Sequence, residues 1–243
     1  MQGMKIIFCG QVSKEPHLPE LNEDSVEIDI ASHRVAVSDG ASESFDSRNW
    51  SRIIAQFFIK TPRVDDEWIT GVINEYLFHQ AEAEFTWSQQ AAFERGSFAT
   101  LIGLEYFNEH KSADVFAIGD SLAVLLSGDR RVDSFPYTNW ENFKQRPTLL
   151  CTKRANNSFI SNSNFYTLHS KTWGLGHLEH ARLFLMTDAL AEWALRREAD
   201  GDPAWSELFA ITDVDHLVSF VESERKAKRI RLDDVTFVSI DFG

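Results

Sequence analysis

The sequence has few cysteines and no long apolar run, and each absence excludes a class of protein. The two cysteines, Cys9 and Cys151, form no disulfide scaffold and match no zinc-binding pattern. No stretch approaches the roughly 20 apolar residues that a membrane-spanning helix needs. The N-terminal segment turns polar too quickly for a signal peptide. We therefore expect a cytoplasmic protein that does not bind a membrane.

Linkers rich in Gly, Ser or Pro are also missing, as are internal repeats and low-complexity tracts. The chain has 243 residues, and 43% of them are apolar. A chain of this length and composition can bury a substantial hydrophobic core. We therefore predict one globular domain that spans residues 1–243.

Positive charge is scarce, since 24 Lys and Arg face 37 Asp and Glu, for a formal net charge of -13. Such a charge repels a phosphate backbone, so we do not expect nucleic acid as a partner. The one dense basic run, residues 225–231, has two interpretations. It is either a patch for an anionic partner or the solvated end of a helix, where cations suit the helix dipole. The second is favoured.

Hydrophobic periodicity predicts strands near both ends of the chain and helices between them. Trp50, Ile53, Ile54, Phe57 and Phe58 follow the helical period from residue 49 onward. Several predicted strands follow one another directly, which favours antiparallel pairing and an α+β class with helices outside a sandwich of sheets. The predicted strands are 4–9, 26–30, 33–38, 98–107, 113–118, 122–127, 182–187 and 235–241. The other predicted helices are 65–94, 189–199 and 214–229, and the segment 129–180 is expected to be irregular.

Four aspartates lie at the ends of predicted strands: Asp39, Asp120, Asp188 and Asp233. If those strand ends converge, the repulsion among the carboxylates is best relieved by bound divalent cations. Each residue also has a simpler interpretation when taken alone. Asp188 suits a helix N-cap and Asp120 suits a hairpin turn. The sequence alone leaves both interpretations open for each residue.

Glu23 precedes a predicted hairpin and Asp39 follows it. Because the two strands of a hairpin run in opposite directions, both residues are expected at the same edge. Gly40 follows Asp39, where a residue without a side chain lets the backbone turn sharply and bring its carbonyl to a ligand. Mg²⁺ and Mn²⁺ prefer such carboxylate and carbonyl oxygens. These three residues are therefore a candidate half-site for a metal, with solvated turn residues as the alternative.

Short motifs follow one another along nearly the whole chain, from about residue 4 to residue 241. They are Asn22-Glu23-Asp24, Ser38-Asp39-Gly40, Gly96-Ser97-Phe98-Ala99-Thr100, Ile118-Gly119-Asp120-Ser121, Thr187-Asp188-Ala189 and Asp233-Asp234-Val235-Thr236. In this order they resemble the metal-dependent protein phosphatases of type 2C, the PPM family, and its bacterial branch in particular. The resemblance implies a four-layer αββα sandwich of two mainly antiparallel sheets flanked by helices.

The resemblance also implies a centre of two, or with a third weaker ion three, Mn²⁺ or Mg²⁺ ions. Glu23, Asp39 and the Gly40 carbonyl would bind one ion, and Asp39 would bridge to a second. Both Asp188 and Asp233 would hold that second ion. Asp120 would bind the third ion, and Asp24 would steady the ligands by hydrogen bonds.

The implied function is a signalling enzyme, a protein serine/threonine phosphatase that acts on phosphorylated proteins. A metal-activated water would attack the phosphate, with Asp39 and Asp188 as catalytic residues. No nucleophilic side chain is needed. Ser42 is disfavoured as a nucleophile because the segment 40–44 lacks the final Gly of a nucleophile elbow.

The sequence departs from the family pattern at three positions. Pro19 stands where relatives usually carry a phosphate-binding Arg, Ala41 where some carry His, and Asp234 where Asn is common. Lys14 or His17 is a candidate replacement for the Arg, although neither has the bidentate fork of a guanidinium. These departures keep two alternatives open: a catalytically silent regulator that binds a phosphoprotein, and a phosphatase for a small molecule.

Overall fold

The computed structural model describes residues 3–42, 44–80 and 85–243. Two five-stranded sheets dominate it, and every strand pair within them is antiparallel. The strands are β1 Lys5–Val12, β2 Ser25–Asp29, β3 Arg34–Ser38, β4 Phe98–Ala99, β5 Leu101–Phe107, β6 Ser112–Ile118, β7 Leu122–Ser127, β8 Arg130–Phe135, β9 Leu150–Cys151, β10 Ser170–Gly174, β11 Ala181–Met186 and β12 Val235–Asp241. The α-helices are α1 Ser47–Lys60, α2 Asp66–Phe78, α3 Trp87–Arg95, α4 Phe165–His169, α5 Asp188–Ala199, α6 Ala204–Phe209 and α7 Val214–Lys226.

The order of strands in the first sheet is β1-β12-β11-β7-β8, and in the second it is β10-β6-β5-β3-β2. Short strands β4 and β9 form a separate pair. The sheets pack face to face, and the alternation of side chains along β7 shows how. Ala123 and Leu125 point into the core between the sheets, whereas Leu122, Val124 and Leu126 point to the core under helices α5, α6 and α7.

The second sheet is covered in the same way by α1 and α2, whose apolar faces join the outward side chains of β5 and β6 in a third core. The order of layers is therefore helices, sheet, sheet, helices. This confirms the predicted α+β class and the αββα sandwich. None of the described helices combines the length and the apolar character that crossing a membrane requires.

Most predicted elements match the structure closely, and β7 and β12 have the predicted bounds. The prediction of one helical stretch over 65–94 was wrong. The stretch contains α2 and α3, and Thr86 begins the second of these with a capping box that it forms with Gln89. A capping box satisfies the free amides of a new helix start, so the chain begins a second helix there. Residues 81–84 of the predicted stretch lie outside the described residues.

The segment 129–180 is less irregular than expected, because it contains β8, β9, β10 and α4. Strands β8 and β10 lie at sheet edges and bury few of their side chains, so their sequences carry little apolar alternation. Three aromatic residues of this segment, Tyr137, Trp140 and Phe143, pack against the core under α5–α7. Both cysteines are free thiols.

Gly103, in the centre of β5, lies directly beneath the ring of Phe58 on α1, and a Cβ atom there would overlap the ring. We expect Gly103→Ala to lower the free energy of unfolding by about 1–3 kcal/mol, because the ring must move out of a packed core. Gly174→Ala is the control, since no neighbouring atom lies within 4 Å of a Cβ added there. Urea denaturation of both variants measures the difference, and equal effects would contradict this account of the packing.

Candidate metal centre

Four of the predicted site residues converge on one cavity of about 240 Å³ at an edge of the sandwich. Asp39, Asp120, Asp188 and Asp233 all line it. Each comes from a different connection: Asp39 follows β3, Asp120 joins β6 to β7, Asp188 begins α5 after β11, and Asp233 precedes β12. The strand ends therefore meet as the sequence predicted, although they belong to two different sheets.

Hydroxyl groups hold two of these connections together across the sheets. The Thr100 hydroxyl accepts a hydrogen bond from the Asp39 amide at 2.9 Å and lies 2.8 Å from the Ser121 hydroxyl. Between Ser121 and β6, Gly119 has φ 101°, a left-handed conformation that glycine adopts without a steric penalty. The loop can therefore turn tightly and present Asp120 to the cavity.

Asp188 does not cap its helix. The N-cap position of α5 is Thr187, and no side-chain hydrogen bond caps the helix there. The Asp188 carboxylate is 8% exposed, and its Oδ1 is buried without a hydrogen-bond partner among the described residues. Its other oxygen, Oδ2, pairs with the guanidinium of Arg231. The capping interpretation of Asp188 is therefore wrong, and a buried carboxylate oxygen is left available for a ligand.

Glu23 lies beside the four aspartates but does not line the cavity. Its carboxylate pairs with the Lys14 ammonium and accepts a hydrogen bond from the Ser47 hydroxyl. Lys14 Nζ also lies 2.6 Å from the Ser42 hydroxyl, on the cavity wall. The sequence suggested Lys14 as a replacement for the missing Arg. In the structure, Lys14 instead pairs with Glu23, one of the predicted metal ligands.

Gly40 allows the backbones of this region to approach closely. A Cβ at position 40 would lie 2.7 Å from the Ser47 carbonyl oxygen and 2.8 Å from that of Glu23. The Gly40 amide donates to the Glu23 carbonyl at 3.3 Å. Any side chain at this position would push α1 away from the end of β3, so the packing here requires glycine.

Asp24 and Asp234 do not line the cavity, and each forms hydrogen bonds with segments that are distant in the sequence. Asp24 Oδ2 accepts from the hydroxyls of Thr187 and Thr236 at 3.0 and 2.8 Å. Asp234 accepts from the backbone amides of Lys14 and Glu23 at 2.7 and 2.8 Å. The negative charge of Asp234 is therefore compensated by two amide donors.

Burial and mutual repulsion make these carboxylates costly to ionise. The pKa of Asp39 is raised well above its ordinary value, first by burial and then by the charges of Asp24, Asp233 and Asp120. Burial likewise raises the pKa of Asp120, against the opposing charge of Arg231. The pKa of Asp24 is raised to about 7, mainly by burial and less by Asp234, although hydrogen bonds from Thr236 and Thr187 oppose the rise. A cation at this edge would favour the ionised forms of all three.

The residues fit a divalent cation in their chemistry, because several carboxylates and a partnerless buried oxygen face one cavity. Their present arrangement, however, centres on Arg231 and Lys14. Within residues 3–42, 44–80 and 85–243, no group of three acidic, His or Cys side chains stands ready to hold a metal. A metal would therefore have to displace these cationic side chains.

The basic run 225–231 begins in the last turn of α7, as the favoured interpretation predicted, and Lys226 there is exposed. Arg225 donates to the backbone carbonyls of Ser13 and Asp233, Arg229 pairs with Glu224, and Arg231 enters the carboxylate cluster. Helix α7 ends at Lys226, so the last two of these arginines lie beyond it. The helix-end interpretation therefore does not extend to Arg229 and Arg231, and all three guanidinium groups bind acidic groups or carbonyls within the chain.

Solved structures share the whole architecture. The photosystem II phosphatase PBCP has a TM-score of 0.60 at 11% identity, and the alignment covers 100% of this chain and 98% of that one. The Mycobacterium tuberculosis serine/threonine phosphatase PstP/Ppp scores 0.51 at 15% identity, with 100% and 98% covered. RsbX, solved in complex with magnesium, scores 0.50 at 15% identity, with 99% and 100% covered.

The chain has the fold of the type 2C serine/threonine phosphatases. The resemblance inferred from the motifs is thereby confirmed at the level of the fold. No protein-family model matches the sequence, and no curated protein matches it either. The fold therefore persists here at identities of 11–15% to the type 2C structures compared above, and the roles of the individual carboxylates must be argued from the site itself.

Folding raises the pKa of Asp24 from 3.8 to about 7. Between these two pH values, the Asp24 carboxyl is protonated in the native state and ionised in the unfolded chain. Without metal, this contribution destabilises the fold progressively as the pH rises from about 4 to about 7. We expect Asp24→Asn to remove that part of the decline and to raise the melting temperature at pH 8. Thermal melts from pH 5 to 8, with a chelator present, measure both effects. If the melting temperatures of the two proteins change with pH in the same way, Asp24 does not have the raised pKa.

Proposed function

We propose that this protein is a metal-dependent serine/threonine phosphatase that removes phosphate from a phosphorylated protein. The observation that carries the proposal is the convergence of Asp39, Asp120, Asp188 and Asp233 on one cavity, within the type 2C fold. Four converging carboxylates, of which Asp120 and Asp188 are buried, provide the oxygen ligands that hard divalent cations prefer.

The proposed ligand roles are those that the resemblance to the type 2C phosphatases implies for each residue. Asp188 and Asp233 would share one Mn²⁺ or Mg²⁺, and Asp39 would bridge it to a second ion beside Glu23 and the Gly40 carbonyl. Asp120 would serve an optional third ion. The magnesium complex of RsbX, a structural neighbour, supports a divalent cation in general. When bound, such ions supply a water of lowered pKa and compensate charge on the phosphoryl oxygens.

The side chains around the cavity then bind and orient the substrate. Ser42 and Thr100 line the wall with hydroxyl groups, and Pro147 and Leu149 form an apolar side that limits the access of water. Pro19 offers no charge to a phosphate. Lys14 and Arg231 pair with carboxylates of the proposed centre, and metals would have to replace both cations there.

A larger cleft of about 660 Å³ adjoins the cavity and shares five lining residues with it: Ala41, Ser42, Pro147, Leu149 and Asp233. Arg95 and Arg146 line this cleft and are both exposed. Within the described part of the chain, neither guanidinium makes an ion pair or a side-chain hydrogen bond. In a protein of net charge -13, two exposed cations beside the cavity favour an acidic ligand. We infer that a phosphopeptide with acidic flanking residues lies here, which supports a protein substrate over a small molecule.

The catalytically silent regulator remains the second candidate, and one observation favours it. Arg231 and Lys14 already neutralise three of the proposed ligands, Glu23, Asp188 and Asp233. If no metal displaces them, the protein would bind a phosphoprotein in the cleft without hydrolysing it. Metal-dependent turnover separates the two functions directly.

For the phosphatase, p-nitrophenyl phosphate hydrolysis should require Mn²⁺ or Mg²⁺, and Asp39→Asn should lower kcat at least 100-fold, because a neutral amide cannot bridge two cations. Asp215→Asn is a matched control, since Asp215 is exposed in the first turn of α7. Steady-state assays with and without metal measure the effect. The proposal would be wrong if wild type showed no turnover, or if wild type, Asp39→Asn and Asp215→Asn showed equal turnover.

For the substrate, the double variant Arg95→Glu/Arg146→Glu should raise KM about tenfold for a phosphopeptide flanked by Glu, because two attractive charges become repulsive. It should leave p-nitrophenyl phosphate hydrolysis unchanged, since that substrate carries no flanking acidic residues for Arg95 and Arg146 to attract. Arg63→Glu is the control, since Arg63 is exposed and lines a different surface pocket. An equal change in KM for Glu-flanked and Lys-flanked peptides would exclude charge recognition by the cleft.

A further inference from the structure

The guanidinium of Arg231 lies among the carboxylates of the proposed metal centre. Nη2 pairs with Asp188 Oδ2, and Nε lies 3.5 Å from Asp233 Oδ2. Nη1 lies 3.4 Å from Glu192 Oε2, one turn further along α5. One side chain thus joins the start of α5 to the segment before β12, the two elements that would share a metal ion.

A guanidinium and a metal ion cannot both use these oxygens. Each Oδ2 that faces Arg231 belongs to a carboxylate assigned to the same ion. A cation bonded to Asp188 and Asp233 would stand within a few ångströms of the positive guanidinium, in a partly buried cavity where Coulomb repulsion is weakly screened. Occupation by the metal and occupation by Arg231 are therefore alternatives.

The backbone allows Arg231 to leave without unfolding anything. Ile230, on one side, is buried in the core under α7 and anchors the segment, whereas Leu232, on the other, is 72% exposed. The Arg231 side chain is itself 38% exposed, so rotation about its own bonds carries the guanidinium into solvent. No helix or strand has to move.

We propose that Arg231 is a built-in cation that occupies the Asp188–Asp233 pair in the metal-free protein and competes with the metal for it. The inference rests on the proposed metal centre but not on hydrolysis. Arg231 then sets the metal affinity of the site: it stabilises the metal-free fold and weakens metal binding by the same interaction. A purely structural ion pair would stabilise the protein to the same extent with metal or without it.

The test is Arg231→Gln, which keeps the size of the side chain and removes its charge. Mn²⁺ binding is measured by titration calorimetry, and the melting temperature is measured with a chelator and with saturating Mn²⁺. We expect the variant to bind Mn²⁺ at least tenfold more tightly than wild type. It should melt several degrees lower than wild type with the chelator, and the difference should vanish or reverse with Mn²⁺.

Arg229→Gln is the matched control, because Arg229 lies two residues away and pairs with Glu224, which does not line the cavity. Its melting temperature should shift equally with and without Mn²⁺, and its Mn²⁺ affinity should equal that of wild type. The difference between the two variants isolates the effect of charge inside the cluster from the loss of an arginine near the end of α7.

The outcomes separate this inference from the proposed function. Unchanged or weaker Mn²⁺ binding by Arg231→Gln, with the same melting difference in both conditions, would overturn the inference while leaving the metal centre standing. Binding of Mn²⁺ by the variant alone would support it strongly. If neither wild type nor Arg231→Gln binds Mn²⁺, the metal centre itself fails, and the inference fails with it.

Discussion

Repulsion among buried carboxylates at one edge of the sandwich is the constraint on which the rest of the site depends. The fold brings acidic residues from both sheets to that edge and removes them from water, which raises the pKa values of Asp24, Asp39 and Asp120. Several cations and amide donors of the described residues compensate these charges. Lys14, Arg225 and Arg231 each contact the acidic edge, and the amides of Lys14 and Glu23 serve Asp234.

The same constraint explains why the site is built from connections rather than from strands. A carboxylate in the middle of either sheet would be buried between apolar layers with no compensating charge, which costs far more than a cluster open to a cavity. At strand ends, backbone amides and hydroxyls such as those of Thr100 and Ser121 are free to hold the chain in place. The sheets supply rigidity, and the connections supply the chemistry.

The carboxylates could be predicted from the sequence because each directly follows or precedes an apolar run whose period identifies a strand. Asp39 and Asp233 show this most clearly, since β3 and β12 are buried on both faces. Arg231 could not be assigned in the same way. It lies in a segment without periodicity, and its contacts depend on how that segment turns after α7. Arg95 and Arg146 come from the end of α3 and from a loop, and only tertiary packing brings them to one cleft.

Strand β12 lies between β1 and β11, so the last strand of the sequence completes the middle of the first sheet. Asp233 and Asp234 directly precede it, and Asp234 bonds the amides of Lys14 and Glu23. During synthesis on the ribosome, the first sheet therefore stays divided until residues 235–241 emerge. The convergence of Asp233 with Asp39, Asp120 and Asp188 therefore requires residues 235–241 to have been synthesised, because β12 holds the segment that carries Asp233.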